Sequence, residues 1–522
     1  MSLDPVIQNA IISVSNKEGL TEFAQGLVAA GVTIYSTGGT RRHLEEASIP
    51  VKDVTEYTQF PEMMDGRLKT LHPKIFGGIL CRHDRDDDMT AIGEHGIFAI
   101  PLVVVNLYPF EETIAKQGVT DAQAIEQIDI GGPSLVRAAA KNHAFSTIAC
   151  KPSQYPEILA ELKNGGKTSL TLRRKLAAAA FAHTAAYDAA IANYFEKDDE
   201  NAFPETLRQS FERKAVLRYG ENPHQQGAVY AVPKFNGASL VDAKQLNGKE
   251  LSYNNLLDLD SALAIARGLP DVAVSVIKHN NPCGAASAAT LAEACEKAML
   301  GDPLSAFGSV IGMNQEVDAA TAEYLSTPGL FVEAIAAPGF SKEAVEILTT
   351  KPKWKNNVRL MEVGPLEGCR PEFQSRWIEG GLLVQNTDFL QDDPNTWQVV
   401  TETQVEESLK QELLFAWEIC RFVKSNAIVL CKDRSLVGAG AGQMSRVDSV
   451  QISIEKAGDR APGSVLASDA FFPFPDSIHE AAKAGVQAFI QPGGSKRDQE
   501  VIDACNEHKL PMIFTGVRHF RH

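Results

Sequence analysis

The sequence predicts an α/β protein built around parallel sheet, and three observations carry that reading. Between residues 10 and 150, apolar strand signals alternate with amphipathic helix signals, the pattern of parallel strands with helices on both faces. A charged, turn-prone stretch, Glu196-Lys-Asp-Asp-Glu-Asn201, closes that block. A second series of apolar runs then begins, with dense polar clusters at the run ends. The bulk numbers permit such an architecture. The chain has 522 residues, which suggests about three or four domains. At 44% hydrophobic and 22% charged it can bury a large core.

Ala10–Val14 is the first strand. Ser15-Asn-Lys-Glu18 fits a capping box, Ser at the N-cap and Glu three residues on. It should open a helix through Leu20, Phe23, Ala24 and Leu27 that Gly31 stops. Val32–Tyr35 is the next strand and runs into Ser36-Thr-Gly-Gly-Thr40, the opening of another helix. Leu102–Val105 is a third strand, ending in Asn106-Leu-Tyr-Pro-Phe110. Ile128-Asp-Ile-Gly-Gly-Pro133 precedes a helix carrying Leu135, Val136 and Ala138 to Ala140 and closing on Lys141-Asn-His143. Residues 151–200 read as helical, since alanine is the strongest helix former. The domain boundary is expected at 196–201, with a linker over 201–212.

A new polar block opens at Leu217-Arg-Tyr-Gly-Glu-Asn-Pro-His-Gln-Gln226. Val274–Ile277 is a buried strand that runs into Lys278-His-Asn-Asn-Pro-Cys-Gly284. The Asn281-Pro282 step is expected to leave regular structure. That places Lys278 and His279 at a strand end, where α/β folds set reacting groups. Residues 302–309 follow a helix; Val423–Cys431 is strand-like with Lys424 and Asn426 at its entry. Val437–Arg446 reads as a Gly-rich turn ending in Arg, and Ser468–Asp476 sets aromatics around two carboxylates. The likeness of Lys278/Asn280 to Lys424/Asn426, and of 302–308 to 468–474, hints at an internal duplication.

Charge and cysteine usage narrow the function. A net charge of −16 and a pI near 5.3 argue against a nucleic-acid binder, whose footprint is basic. The 8 cysteines form no C-x-x-C pair, so neither a zinc ribbon nor a thioredoxin motif is indicated. They read as reduced, mostly buried thiols of a cytosolic protein. Met1-Ser-Leu-Asp-Pro5 lacks the basic and apolar regions of a secretory leader. No run approaches about 18 apolar residues, so no membrane span is expected.

Taken singly, each polar cluster has an ordinary explanation. The turns at 15–18 and 36–40 could face backbone N–H groups toward an anion, with Lys17 adding charge; helix capping accounts for either alone. Gly66-Arg-Leu-Lys-Thr-Leu-His-Pro73 alone is a solvated basic loop, and Lys278-His279 alone a polar turn. Phe471 could wall a planar ring; for Phe472 and Phe474 core packing is expected.

Together and in this order the clusters are specific. ISVSNK (12–17), STGGT (36–40), GRLKTLHPKI (66–75), NLYPF (106–110), IDIGG (128–132), RAAAKNH (137–143), LRYGENPHQ (217–225), KHNNPCG (278–284), GAGQMSR (440–446), SDAFFPFPD (468–476) and VRHFRH (517–522) span nearly the whole chain. They resemble the bifunctional purine-biosynthesis PurH family, which joins phosphoribosylaminoimidazolecarboxamide (AICAR) formyltransferase to IMP cyclohydrolase. The resemblance implies a methylglyoxal-synthase-like domain with a helical extension over 1–200. It implies a transferase over 213–522 made of two cytidine-deaminase-like α/β subdomains, split near 370. It also implies a cytoplasmic homodimer with transferase sites between subunits. The substrates it implies are AICAR, its formylated product FAICAR on the way to IMP, and 10-formyltetrahydrofolate, with no catalytic metal.

Residue by residue, the resemblance assigns Ser13, Ser15, Lys17, Ser36, Thr37, Gly38, Gly39, Thr40, Arg67, Thr70, Asn106 and Gly131 to the cyclohydrolase nucleotide site. Lys69, Tyr108, Asp129 and Lys141 join them as its catalytic groups, Lys141 matching an acid–base lysine. In the transferase half, Arg218, Tyr219, Gly308, Glu333, Arg446, Phe471 and Arg518 match nucleotide contacts; the family pattern carries Asp where Glu333 stands. Val447, Asp476, Ser495 and Lys496 match the folate side. His279 matches the proton acceptor, with Lys278 and Asn426 beside it as catalytic groups. A neutral-pH base and an oxyanion donor are what formyl transfer to a conjugated, weakly nucleophilic amine requires.

Two rival readings differ in class. A zinc deaminase needs H-x-E with P-C-x-x-C; Pro282-Cys283 is present, but Ala286 follows at the third position, and the one H-x-E is His43-Leu-Glu45. Alternatively, the N-terminal domain could be a non-catalytic regulatory anion binder, against which Tyr108, Asp129 and Lys141 speak.

Overall fold

The computed structural model describes residues 4–197, 203–233, 235–368 and 370–522. It divides into two compact units, Met1–Ser210 and Phe211–His522. Part of the charged stretch at 196–201 and the start of the expected linker lie outside the described residues, as does Cys369. No described helix is long and apolar enough to cross a membrane.

The first unit is built on five strands: β1 (Asn9–Val14), β2 (Thr33–Ser36), β3 (Lys52–Asp53), β4 (Leu102–Asn106) and β5 (Thr147–Ala149). All pair in parallel, in the order β3-β2-β1-β4-β5. Leu102 to Val105 are buried throughout, as strands covered on both faces must be. The expected helix forms over Leu20–Ala29, but its start corrects the capping-box reading. Gly19 is the N-cap, with φ 63° and no side-chain cap. Ser15 instead donates to the Leu107 carbonyl at 2.6 Å, and the Glu18 N–H goes to Asn16 Oδ1 at 2.9 Å. The long helix Leu170–Glu196 packs on helix Gly131–Lys141. Arg173, 1% exposed, fixes its start by donating to the carbonyls of His143 and Ala144 and pairing with Asp4.

The second unit contains β6 (Glu212–Leu217), β7 (Gly227–Ala231), β8 (Lys244–Asn247), β9 (Val272–Lys278), β10 (Asn281–Ala288), β11 (Ser309–Met313), β12 (Val332–Ala337) and β13 (Arg359–Glu362). It continues with β14 (Phe373–Ile378), β15 (Gly381–Asn386), β16 (Gln398–Val399), β17 (Ile428–Lys432), β18 (Ser435–Gly440), β19 (Val465–Ser468), β20 (Ala488–Gln491) and β21 (Met512–Phe514). β6–β7 and β14–β15 are separate two-stranded ladders. The other twelve form one sheet, β16-β21-β20-β19-β17-β18-β10-β9-β11-β12-β13-β8.

That order contains a repeat. β8 to β13 and β16 to β21 each run strand, helix, two-stranded hairpin, helix, strand, helix, strand, helix, strand. Within each half the pairing senses match: hairpin and third strand antiparallel, the last three strands parallel, the first strand antiparallel to the last. The halves meet where β10 and β18 pair antiparallel. The duplication is therefore present, but the motif correspondence read from sequence is not. Lys278 ends β9 as Lys432 ends β17, whereas Lys424 and Asn426 precede their strand. Residues 302–308 precede β11, while 468–474 straddle the end of β19.

Alternate residues of the strands serve different cores. Ala273 and Ile277 of β9 join a cluster that runs across both halves, under helices Tyr253–Gly268 and Glu407–Cys420. Val274 and Val276 face a cluster belonging to the first half alone, and the second half has its own on the same terms.

Two further corrections concern loops. Asn281 and Pro282 do not leave regular structure; they begin β10. His279 and Asn280, at φ 52° and 60°, form the two-residue turn of a hairpin, the geometry that matches strand twist. The equivalent turn, Asp433-Arg434, has the same left-handed pair, so hairpin type explains the backbone without appeal to chemistry. Nor is all of 437–446 a glycine turn: the chain turns only over 441–445, at Gly442 (φ 67°), while Gly438 and Gly440 are in β18 because helix Arg446–Ala457 lies directly on them. A Cβ there would overlap the carbonyls of Ser453 and Ser449, and one on Gly284 the carbonyl of Ala298.

Gly284→Ala and Gly440→Ala should each cost roughly 1–3 kcal/mol by forcing helix and sheet apart. Gly381→Ala in β15, which has open space around it, should stay within about 0.5 kcal/mol. Denaturant midpoints measured at constant m-value check both.

Candidate functional site

In the first unit one cavity of about 710 Å³ opens at the C-terminal edge of the sheet. It lies across β1 and β4, where the strand order reverses direction and α/β folds bind ligands. Ser13, Ser15, Lys17, Thr37 to Thr40, Arg67, Lys69, Thr70, Asn106, Tyr108, Asp129 and Gly131 all line it. Asn106 staples the two central strands: its Oδ1 accepts from the N–H groups of Ser15 (2.6 Å) and Asn16 (2.9 Å) and from Ser15 Oγ (2.9 Å). Thr40 Oγ1 donates to Val14 O at 2.9 Å, fixing helix Gly38–Glu46 to the strand end.

Two helix starts converge here, at Gly38 and Gly131, and neither has a side-chain N-cap. Their amides and dipoles suit an anion. The cations around them are already engaged. Lys69 Nζ meets Glu62 at 3.0 Å, and Arg67 meets Glu126 at 2.5 Å. Lys17 donates to the Val14 and Ser15 carbonyls, and burial pulls its ammonium below the usual lysine range. Asp129 is a carboxyl of the cavity that is shifted upward. Burial raises it, while hydrogen bonds from the Gly132 N–H (2.7 Å) and the Tyr108 backbone pull it only part of the way back.

Two expected residues stand elsewhere. Ser36 is fully buried and donates to Ile12 O at 2.7 Å, so it joins β2 to β1 and does not face the cavity. Lys141 is the last residue of helix Gly131–Lys141, whose first residue lines the cavity. Ten residues at about 1.5 Å per residue put it roughly 15 Å away along the axis, exposed and outside the lining. Sequence reading missed the apolar wall of Ile125, Ile128 and Ile130. The exposure of Ile125 (45%) and Ile130 (62%) is its structural signature.

In the second unit the remaining candidates share one edge of the twelve-stranded sheet. The β9–β10 turn, the starts of β11, β12, β13 and β17, and the ends of β18 to β21 all lie there, as the registers require. A cavity of about 460 Å³ takes Asn426, Arg446, Val447, Phe471, Asp476 and Arg518. A smaller one, about 240 Å³, takes Arg218 and Glu333 with Lys249 and Arg359. Lys278 and His279 line neither. Lys278 Nζ donates to the carbonyls of Phe307 (3.1 Å) and Gly308 (2.9 Å), and His279 stands exposed at its turn. The turn is nevertheless tied to the Asn426 side: Asn280 Oδ1 accepts from Ser261, which accepts from Arg521, whose carbonyl accepts from the Ser425 N–H. Tyr219 and Ser495 are half-buried and Lys496 is exposed; none of the three lines a cavity described here.

Four of these side chains already have partners within the protein. Arg446 is nearly buried and already holds Asp469 (2.5 Å), Ser468 Oγ (2.8 Å) and Asn426 Oδ1 (2.7 Å), so it orients Asn426 instead of presenting a free fork. Asn426 in turn gives its Nδ2 hydrogens to the carbonyls of Gln443 and Met444. Glu333 Oε1 is paired with Arg359 at 3.0 Å. Phe472 is core, but Phe474 is 49% exposed, lies under the Arg497 guanidinium and lines the cavity. Asp469 and Phe520 were not anticipated; both belong to motifs read as units, without assignment of each residue.

Residues 19–134 match the MGS-like domain model, and residues 139–456 match the AICARFT/IMPCHase bienzyme model. The chain belongs to the AICARFT/IMPCHase bienzyme family. Within it, the bifunctional purine biosynthesis protein PurH of Rhodopirellula baltica is 62% identical over 517 residues, covering 99% of each chain. The Bacillus cereus protein of the same name is 48% identical over 99% of this chain and 100% of its own. The B. anthracis protein is 49% identical over the same shares. A solved structure, "Crystal structure of ForH", aligns with 37% of this chain at 33% identity and a TM-score of 0.35.

A zinc-deaminase reading finds no support in this family. Cys283 points its thiol at the Val276 carbonyl, and burial pushes it up to about 12. Among the described residues no group of three or more His, Cys, Asp or Glu is arranged to hold a metal ion.

Asp129 gives a test of pH. Its carboxyl is raised in the folded state, so folding favours the protonated form. Its contribution is therefore favourable below the unfolded value of about 3.9 and is lost as pH rises through the folded value. Asp129→Asn, neutral and still able to accept from Gly132, should melt above the parent at pH 7, with the gap closing toward pH 4. Thermal melts across that range check it.

Proposed function

We propose that the chain carries out the last two steps of IMP synthesis, formyl transfer to AICAR and ring closure of the formylated nucleotide. The observation that carries this is full-length kinship, 62% identity across 99% of the chain, with a cavity of matching chemistry in each unit. Both substrates and products are soluble, which fits the cytoplasm.

For formyl transfer we place the reaction at the shared sheet edge, with 10-formyltetrahydrofolate as co-substrate. The 5-amino nitrogen attacks the formyl carbon, a tetrahedral oxyanion forms, and the folate N10 leaves with a proton. His279, an imidazole exposed at its turn, is suited to take the amine proton. Lys278 lies beside it as the cation nearest the developing charge. Arg218 and Arg518, which make no ion pair among the described residues, are suited to phosphate or carboxylate. Phe471, Phe474 and Phe520 offer flat apolar contact beside Val447 and Asp476 on the folate side. Ser495 and Lys496, beyond the lining, would be reached by the folate tail. His279 lines neither cavity, and on that footing we propose a homodimer in which the partner subunit closes over it.

For ring closure, the carboxamide nitrogen attacks the formyl carbon and water leaves. The protein has to fold the substrate and move protons. The two helix starts are suited to the phosphate, the Ile125–Ile130 wall to the ring, and Lys69, Tyr108 and Asp129 to the protons. Asp129, raised by burial, holds a proton more readily than an ordinary carboxyl. Lys141, outside the cavity, is left out of this scheme. Both steps balance without a metal.

The deciding assay is formation of IMP from AICAR and 10-formyltetrahydrofolate by the purified chain; a folded protein that makes neither FAICAR nor IMP would end the reading. The two steps should separate by mutation. Lys69→Ala should slow closure of preformed FAICAR by about 10²-fold or more, the range for losing one charge-stabilising donor. His279→Ala should slow formyl transfer by about 10²–10⁴-fold and leave closure at the parent rate. Equal loss of both activities in either variant would refute the two-site assignment.

A further inference from the structure

The C-terminal segment contributes to the larger sheet-edge cavity in a regular alternation. Arg518 and Phe520 line it, and the Arg518 guanidinium lies 4.4 Å from the Phe520 ring centroid. The residue between them points the other way. His519 is 2% exposed, and both ring nitrogens are bonded to carboxylates: Nδ1 to Asp388 Oδ2 at 2.5 Å and Nε2 to Asp392 Oδ2 at 3.0 Å. An imidazole donates from both nitrogens only when it is the imidazolium. Asp392 Oδ2 also accepts from Trp417 Nε1 at 2.8 Å, and the indole meets the imidazole edge-on at 5.7 Å.

We propose that His519 is a positioning residue: held as a cation between Asp388 and Asp392, it sets Arg518 and Phe520 at the cavity and thereby governs substrate binding in formyl transfer. The proposal rests on the assignment of that cavity to the transferase.

The clamp joins distant parts of the chain. Asp388 and Asp392 lie between β15 and β16, and His519 lies beyond β21. Other bonds hold the tail further on, at Arg521, while Arg518 and Phe520 contact each other and Phe520 meets the His522 ring, all within the tail that His519 anchors. The charged groups around the imidazole are Asp388 and Asp392 on the loop and Arg421 and Glu418 on helix Glu407–Cys420 and its end. Burial alone would lower the imidazole pKa and Arg421 works in the same direction, but the bonds to Asp388 and Asp392 outweigh them and push it up to about 9. A folded-state value above the unfolded one means that the clamp is fully formed below about pH 6.5. It is lost as pH rises through about 9.

The test uses the full chain and reads binding apart from turnover. His519→Gln should raise the KM of formyl transfer about tenfold, with kcat within about threefold, as expected when a charge-assisted binding contact is loosened. Ring closure of FAICAR should be unchanged, which also reports that the protein is folded. In the parent, Trp417 emission should rise over a titration centred near pH 9 as a neighbouring cationic quencher disappears. The transfer KM should climb over the same range. Both responses should be absent from His519→Gln, and the emission change absent from Trp417→Phe. Asp392→Asn, which keeps the side-chain volume, should shift the emission titration to lower pH. If Arg518→Ala raises KM but His519→Gln does not, the clamp does not position and the proposal falls. If Arg518→Ala itself leaves KM at the parent value, it is the assignment of this cavity that fails. A parent KM flat through pH 9, despite a titrating Trp417, would also overturn the proposal.

Discussion

The antiparallel contact between β10 and β18 is the constraint on which the second unit depends. It is narrow: the ladder is registered at Ala286 with Ser435, and one further backbone bond joins Ser287 to Arg434. What widens it is close approach. Gly301 leaves room for the Leu436 carbonyl, Arg460 donates to the carbonyls of Leu300 and Gly301, and Lys456 meets Asp302 at 2.9 Å. On one face the core continues across the junction without a break. Because the seam is antiparallel, strand starts of the first half and strand ends of the second arrive at the same edge. Residues separated by more than two hundred positions, Arg218 and His279 at one extreme and Arg518 at the other, thereby come to one side of the sheet.

The electrostatics of the three cavities share a theme. An acidic chain with net charge −16 must receive phosphorylated and carboxylated substrates. It presents four of its cavity cations with partners in place: Lys69 with Glu62, Arg67 with Glu126, Arg359 with Glu333, Arg446 with Asp469. Most of these pairs are partly exposed, where an ion pair is worth little on its own, so a substrate anion can replace a carboxylate at small cost. Arg446 with Asp469 is different. It is buried, it is bonded on three sides, and its work is to hold Asn426 in one orientation. Removing one member would strand a buried charge.

Much of the first unit was legible in sequence because its strands are short apolar runs joined by helices with apolar periodicity, and both are local signals. What failed there was local chemistry decided at a distance. Ser15 was expected to cap its own helix, but Asn106, ninety-one residues on, offers a better partner. Ser36 looked like part of a phosphate turn, yet its position at the end of β2 turns it toward Ile12. In the second unit only two of the apolar strands were read, at 274–277 and within 423–431; glycines were read as a turn where two of them mark helix contact, and Asn-Pro was read as a break when it opens a strand. The duplication was suspected from similar letters and is visible only in strand order. The site residues themselves came from the whole set of motifs. No periodicity argument would have connected His519 to Asp388 and Asp392, more than a hundred residues before it.

The paired turns at His279-Asn280 and Asp433-Arg434 mark the ends of two hairpins that pass each other in opposite directions across the seam. A rotation by half a turn about an axis through the seam exchanges them. The same twelve strands would be generated by two separate copies of a chain half as long, each offering its hairpin strand to its twin. In such an assembly both rims would be equivalent. Covalent linkage frees the two copies to diverge, so that one rim can gather arginines, aromatics and the base while the other is released to serve as scaffold. The asymmetry of the edge, with its cavities on one side, is thus a property that a single continuous chain can hold and a pair of identical ones cannot.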